Sequence, residues 1–489
     1  MQGEDPLASV AAAKRPLALS TIMAFAATSL PLSAMTIAMA VFLPKYFASN
    51  IGISLAAVGG AFAMVRLIDI PLDPILGMVM DRTRSPWGRY RLWTVLGTPI
   101  LMLAVYMLFM APKGIGTGYL IAWLLVLYLG FSILHLSHSA WASTLATSYD
   151  ERARVFGVIT AVGVVGSATV LLTPLLLNKL GQTEAQGVQG MGWFVLALTP
   201  LAVALVVWRT PERIAPEVHG SHFQFKDYLS LVTRPEMARI LLADLCLALG
   251  PGWMSALYLF FFTDSRGYTA GQASVLLLVY ILAGFAGAPL MGRLATKISK
   301  HRAAMVATAG YSLVLVSLMA IPQGNMLIGV VPLFIAGFFA AGFTVLIRAM
   351  TADISDEVRL EQGKERAGLL FALTTLTNKI AGAFSIFLTF QVLARTGYDA
   401  RSGAVNTADA IRSMEIAYLS GPILFVTIGG ACFIGYKLTA ERHAEIRRQL
   451  EERDASLADD HVFYDEAAIL ESITSEPGVP TVLVEPKRV

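Results

Sequence analysis

Twelve stretches of this sequence are each long and apolar enough to cross a lipid bilayer, and no other feature narrows the possible folds as sharply. A spanning helix needs about 20 apolar residues. By that rule the spans fall near 19–45, 55–80, 92–111, 119–147, 154–178, 191–208, 238–263, 272–295, 303–321, 327–350, 366–393 and 412–438. Within a bilayer each segment must satisfy its own backbone N–H and C=O groups, so such spans are helices. Composition agrees, because 56% of the 489 residues are hydrophobic and only 15% are charged, too apolar for an ordinary soluble chain. The expectation is an all-α polytopic membrane protein. Its first apolar stretch, from about Leu17 to Phe47, outruns the ~7 to 15 residues of a signal-peptide core, so no cleavable leader is expected. Cys246 and Cys432 both lie in spans, which argues against a disulfide framework or a metal knuckle.

Charge sets the orientation. Lys14 and Arg15, Arg82 to Arg91, Arg152 with Arg154, Arg209 to Lys226 and Arg293 to Arg302 fall on alternate connections, whereas the opposite connections are short and mostly lean in cations. Only the one before the last helix, where Arg395, Arg401 and Arg412 roughly cancel Asp399 and Asp409, blurs the asymmetry. The positive-inside rule then places both termini in the cytoplasm. The polar connection 209–237, with Pro211, Pro216 and Pro235, divides the spans six and six. We therefore expect a six-helix bundle over 1–208, a cytoplasmic middle loop, a second bundle over 238–438, and a soluble tail over 439–489. Each bundle's second span ends in a glycine followed by a basic exit, Gly77 to Arg91 and Gly292 to Arg302, a weak repeat that suggests parallel halves with a binding site between them at mid-membrane. The tail reads as a charge-laced amphipathic helix and then extended chain, expected to be solvated.

The second span carries the most informative charges. Arg66, Asp69 and Asp73 recur at three- and four-residue spacing, which puts them on one helical face. A charge at the bilayer centre costs about 2.5 to 3.5 kcal/mol on insertion scales, so such groups face a partner or a wet cavity. Pro71 and Pro74 free carbonyls beside the acids. Arg66 could neutralise the acids structurally; two acids and a cation on one face point rather to a coupling or substrate site.

Few other ionisable groups lie deep. His135 and His138, with Ser139 and Trp141 beside them, sit at i, i+3 in the fourth span; without a third ligand they suit a polar cavity or a proton relay better than a metal. Lys379, next to Asn378, lies well inside the eleventh span and is expected to point into the central cavity. Asp244 and Arg348 are read as structural, near cytoplasmic ends. The connection after the tenth span, TADISDEVRLEQGKERAG, is expected to be a cytoplasmic loop whose charges pair with Arg82 to Arg91 when the inner mouth is shut.

Asp69-x-x-x-Asp73-Pro74, Gly77-x-x-x-Asp81-Arg82-Thr83, Ser85-x-Trp87-Gly88-Arg89 with Arg91 and Trp93, and, further on, Ala352-Asp353, Gly363, Arg366, Gly368 and Lys379 resemble the glycoside-pentoside-hexuronide:cation symporters. This is the melibiose-carrier branch of the major facilitator superfamily, and the likeness extends over nearly the whole chain before the tail. It implies the superfamily's fold of twelve helices in two bundles; an enzyme is not expected, because the sequence shows no nucleophile-and-base constellation or metal ligand set. Asp69 and Asp73 would bind the coupling cation, with Lys379 close by, and Asp81, Arg82, Arg89, Arg91, Asp353 and Arg366 would form the cytoplasmic gate. His135 joins the coupling site, and Ser33, Arg66, His138, Trp141, Asn378 and Lys379 are the expected cavity residues.

The chain also departs from that pattern. The first-span acid that grips sugar hydroxyls in the melibiose carriers falls at Ser33, the fourth-span acid at His138 and the fifth-span arginine at Val158; the asparagine and threonine that help hold sodium fall at Leu72 and His135. A hard cation wants several oxygen ligands, so proton coupling is expected ahead of sodium, with His135 or His138 as relay. No other cofactor is expected. The leading function is cation-coupled symport of a glycoside or related polar solute across the cell inner membrane by a monomer, with the bilayer, the solute and the cation as its partners and no nucleic acid. A carrier of lysolipid-like amphiphiles, and a sensor that binds cargo without moving it, are the alternatives.

Overall fold

The computed structural model describes residues 17–145, 149–212, 231–362 and 367–453. Each apolar stretch forms one helix: α1 Leu19–Ile51, α2 Leu55–Arg82, α3 Arg89–Phe109, α4 Thr117–Leu145, α5 Tyr149–Lys179, α6 Glu184–Arg209, α7 Pro235–Ser265, α8 Ala270–Ile298, α9 Lys300–Ser317, α10 Met326–Gln362, α11 Ala367–Leu393 and α12 Ala408–Ala431. Their ends follow local chemistry. Ser54, Thr183, Thr269 and Thr407 each accept a hydrogen bond from a first-turn backbone N–H of the helix that follows. Gly52 closes α1 at φ 89°, a left-handed conformation that a side chain would strain. α2 runs on through Pro71 and Pro74 without a break.

Six helices pack in each half. In the first, α3 lies on α4 and α6, α1 on α5, and α2 on α4; in the second, α8 lies on α10, α7 on α11 and α12, and α9 on α10 and α12. The halves meet where α2 runs along α11 and α5 along α8, so the second helix of each bundle packs on the fifth of the other, as a pair of parallel repeats would. α1 also packs on α7. Within the second bundle α8 and α10 touch backbone to backbone: a Cβ at Gly287 would stand 2.1 Å from the Phe338 carbonyl oxygen, and one at Gly337 2.0 Å from that of Tyr280. Among the described residues no strand occurs.

Two expectations change. The connection after the tenth span is no loop as far as Gln362, because α10 continues through it, with Ile354 and Val358 keeping a buried stripe at helical spacing. The tail is not solvated where it begins. Residues 440–453 form a further helix, α13, whose Ile446 and Leu450 are fully buried in the main core. His443 Nε2 lies 3.3 Å from Asp353 and 3.0 Å from Asp356, and Arg453 donates to the Arg359 carbonyl at 3.1 Å, at the end of α10. Gly363, Arg366 and the tail beyond 453 lie outside the described residues, as do Lys14, Arg15 and 213–230 of the middle loop.

Candidate functional site

α2 turns one face toward α11, and there the charges of the second span meet the lysine of the eleventh. Arg66 Nη1 donates to Asp69 Oδ2 at 3.0 Å, and Lys379 Nζ reaches the same oxygen at 3.3 Å while also pairing with Asp73 Oδ2. Ser132 on α4 donates to the other oxygen of Asp69 at 3.0 Å. Asp69 is thus buried to 2% exposure with both oxygens engaged, whereas Oδ1 of Asp73 is buried and accepts no hydrogen bond from the protein. The Arg66 guanidinium lies over the Tyr128 ring, 4.7 Å from its centroid. Two cations balance two carboxylates, which is how four charges remain tolerable in this setting.

His135 has an exposed side chain, stacks on Phe131 and lies within electrostatic reach of Asp73 and Lys379. Its neighbour on the same face differs. His138 is buried, its ring stacked on Phe25 at 4.4 Å and its Nε2 3.0 Å from the Phe25 carbonyl oxygen. Trp141 is wholly buried, donates to the Pro211 carbonyl and carries the Arg91 guanidinium 5.7 Å from its ring. Both residues were expected on a cavity wall; the structure packs them, because Phe25 covers the imidazole and the Pro211 segment takes the indole N–H. Ser33 is half-buried at the crossing of α1 and α5, against Gly163.

Of the expected gate residues, Arg91 pairs with the connection that follows α6, and Asp353 with α9 and α13. Arg91 donates to the Thr210 carbonyl at 2.8 Å, and the backbone N–H groups of Tyr90 and Arg91 donate to the Glu212 carboxylate. Asp353 pairs with Lys300, 2.8 Å from one of its oxygens, and with His443. Arg82 is exposed and Arg89 lies over the Tyr90 ring; the side chain of Asp81 is outside the described set.

Charges bind the two halves together at the face reached by the C-terminal end of α1. Lys45 on α1, only 8% exposed, donates to Thr263 and lies 3.4 Å from Asp264 on α7. Tyr398 donates to Asp264 in turn, and the Ser402 N–H donates to the Ser49 carbonyl at 2.9 Å. Burial and the adjacent Asp264 carboxylate push the Tyr398 hydroxyl above the ordinary phenol range, so it serves as a neutral donor. Lys45 was not singled out from the sequence: it ends an apolar stretch, where a lysine ordinarily reaches toward water.

Asp244, expected from the sequence to be structural, lies beside a cavity. Ten residues into α7, it borders an open cavity of about 440 Å³ lined by α7, α8, α10 and α11. Thr377 and Asn378 both donate to its Oδ2, Asn378 at 2.8 Å. Asn378 and Gly382 line the same cavity, and a Cβ on Gly382 would stand 3.6 Å from the Arg66 guanidinium, so the cavity wall adjoins the charged cluster. A single acid far along the chain from its partners carries no spacing signal.

Residues 24–440 match the family described as MFS/sugar transport protein. The lactose permease of Lactobacillus delbrueckii subsp. bulgaricus is 26% identical over 419 residues, covering 79% of this chain and 64% of the permease. The chain therefore spans less than two thirds of that relative's length. The glucuronide carrier protein homolog of Escherichia coli (strain K12) is 24% identical over 430 residues, covering 85% of this chain and 91% of the relative. Among solved structures, the nucleoside transporter NupG superposes with a TM-score of 0.65 at 13% identity, over 86% of this chain and all of that one, a likeness of fold.

Proposed function

The chain belongs to the MFS/sugar transport protein family, in its glycoside-pentoside-hexuronide branch, and from that premise we propose that it is a cation-coupled symporter of a glycoside or similar polar solute, working by alternating access. The units that rock are residues 1–208 and 238–438, joined by 209–237, in a monomer of the cell inner membrane with both termini cytoplasmic.

One observation carries the reading. Lys379, from the second half, lies between two carboxylates of the first, where it stands in for a bound cation. An entering proton or metal ion must displace that ammonium or neutralise its partner. Each such event alters the attraction between α2 and α11, the helices along which the halves meet. Coupling in this sense is differential affinity for the cation between two states.

A proton suits the site better than sodium. Asp69 is already bound by Arg66, Lys379 and Ser132, which leaves few oxygens for a hard ion that prefers several. The unengaged Oδ1 of Asp73 is the atom that would take a proton. Protonation there removes half of the negative charge facing Lys379, and His135, exposed beside Phe131, is the candidate relay. Closure of the face at the far end of α1, through Lys45 and Asp264, supports an outward-closed state as the one described.

The test is uptake of lactose, methyl β-xyloside, a nitrophenyl glucuronide and lysophosphatidylcholine into proteoliposomes. An imposed pH step should drive accumulation of one of the three glycosides, while a sodium step at constant pH should not. Accumulation driven by sodium alone would overturn proton coupling, and uptake confined to the lysolipid would replace the solute class.

A further inference from the structure

We infer that Asp244 is the carboxylate that selects the solute, holding a pair of hydroxyl groups of a neutral glycoside from within the second bundle; this rests on the transport reading above. The first bundle has a deficit to explain. Ser33, at a helix crossing, and His138, sealed beneath Phe25, carry no carboxylate, and packing keeps the imidazole from a solute as well. Among the described residues, the two acids deep in its spans, Asp69 and Asp73, are already paired with Arg66 and Lys379.

The second bundle supplies what is missing. Its cavity of about 440 Å³ falls within the range of small-ligand sites. Room comes from small residues, Gly252, Gly284 and Ala341 among them, and Tyr280 is part of the lining, an aromatic residue of the kind that packs on the C–H face of a sugar. Thr377 and Asn378 converge on Oδ2 of Asp244 and fix the carboxylate's orientation. Ionised carboxylates accept hydrogen bonds at both oxygens and hold hydroxyl donors about twice as strongly as neutral acceptors do. A carboxylate oriented by its own donors and bordering a cavity of this size is prepared for hydroxyl groups rather than for an anion. Asn378 and Ser385, on the α11 wall, offer further hydrogen bonds to the same solute. The site also lies where it can report to the coupling cluster: Asn378 precedes Lys379 directly, and Gly382 adjoins Arg66. A solute that grips Asn378 therefore bears on the helix that places Lys379.

The experiment measures binding and transport on the same protein. Purified wild-type protein is titrated with lactose, methyl β-xyloside and nitrophenyl glucuronide by calorimetry, and the sugar that binds is followed by counterflow in proteoliposomes, which needs no cation gradient. Asp244→Asn should weaken binding of that sugar by about tenfold or more, the loss expected on removing a charged acceptor. Its counterflow should fall in parallel. Gly284→Val, which narrows the cavity near Ala341 without touching the acid, should weaken lactose more than the smaller xyloside, and it keeps the inference testable if Asp244→Asn does not fold. A neutral sugar bound more tightly than the glucuronide is the expected order. Wild-type affinity in both variants overturns the inference while leaving the transport reading intact. Binding that depends on Asp244 with no counterflow by the wild type upholds the inference and overturns transport. No binding of any of the three sugars overturns both.

Discussion

The Lys379 ammonium on α11 stands 3.3 Å from Oδ2 of Asp69 on α2, so a cation from one half of the protein is bound to an anion from the other. The same ammonium also pairs with Asp73. A group shared by two carboxylates across a moving interface is both a structural tie and a competitor for whatever cation the carboxylates take up. That double role can be separated by substitution.

Lys379→Ala leaves two acids facing only Arg66. Removing one member of a buried ion pair costs about 3 to 5 kcal/mol, and the 19% exposure of the lysine side chain places the loss toward the lower end. The melting temperature in detergent should fall. Adding Asp73→Asn should restore part of it, with a coupling of about 0.5 to 3 kcal/mol between the two sites. Additive losses in the double variant would show that the pair does not form.

Asp73→Asn alone should end concentrative uptake. The amide keeps the size of the carboxyl group and can still meet Lys379 through its oxygen, but it no longer exchanges a proton. Counterflow of the solute should persist, since that exchange requires no net cation movement. Accumulation at the wild-type level in a pH-driven proteoliposome assay would remove Asp73 from the coupling site.

How much of this was legible beforehand depended on the range of the signal. Twelve spans were readable because each is a local run of apolar residues, and the cluster at Arg66, Asp69 and Asp73 because helical spacing puts the three on one face. The partner of that face lies 306 residues beyond Asp73, so no local spacing joined them, and only the family resemblance put Lys379 beside the acids. Asp244 and Lys45 carried no local pattern at all, and their roles come from what α11 and α7 bring to them. His138 misled for the opposite reason: its spacing from His135 is right for a shared face, but Phe25 from another helix covers it. Polarity in α10 beyond Met350 suggested a loop, yet Ile354, Val358 and the docking of α13 keep it helical.

α13 gives a prediction that the solvated-tail expectation would reject. Leu450 is 1% exposed and Ile446 fully buried, so both belong to the core. Leu450→Ala should lower stability by about 2 to 5 kcal/mol, the cost of emptying a buried leucine site. Replacing an exposed neighbour, Glu452, with alanine should leave the melting temperature nearly unchanged. Equal effects of the two would mean that the helix is not docked in solution.

The outer closure is the last point open to direct test, and it separates a structural ion pair from a working gate. Lys45 and Asp264 join α1 to α7 at the face reached by the C-terminal end of α1, with Thr263 and Tyr398 completing the network. If this network holds that face shut, Asp264→Asn should weaken it by removing the charge that Lys45 and Tyr398 both address. The unpaired Lys45 is buried beside the Phe260 ring, and the cost of that burial falls only on the closed state. Populations then shift toward the open outer mouth, because a substitution that penalises one state favours the other. A cysteine at Gly382, introduced with Cys246 and Cys432 replaced by serine, reports the change. Its labelling by an impermeant thiol reagent added outside oriented vesicles should speed up several-fold in Asp264→Asn. Labelling unchanged by the substitution, in protein of wild-type stability, would mean that the apolar packing of α1 on α7 closes the face by itself and that the ion pair only decorates it.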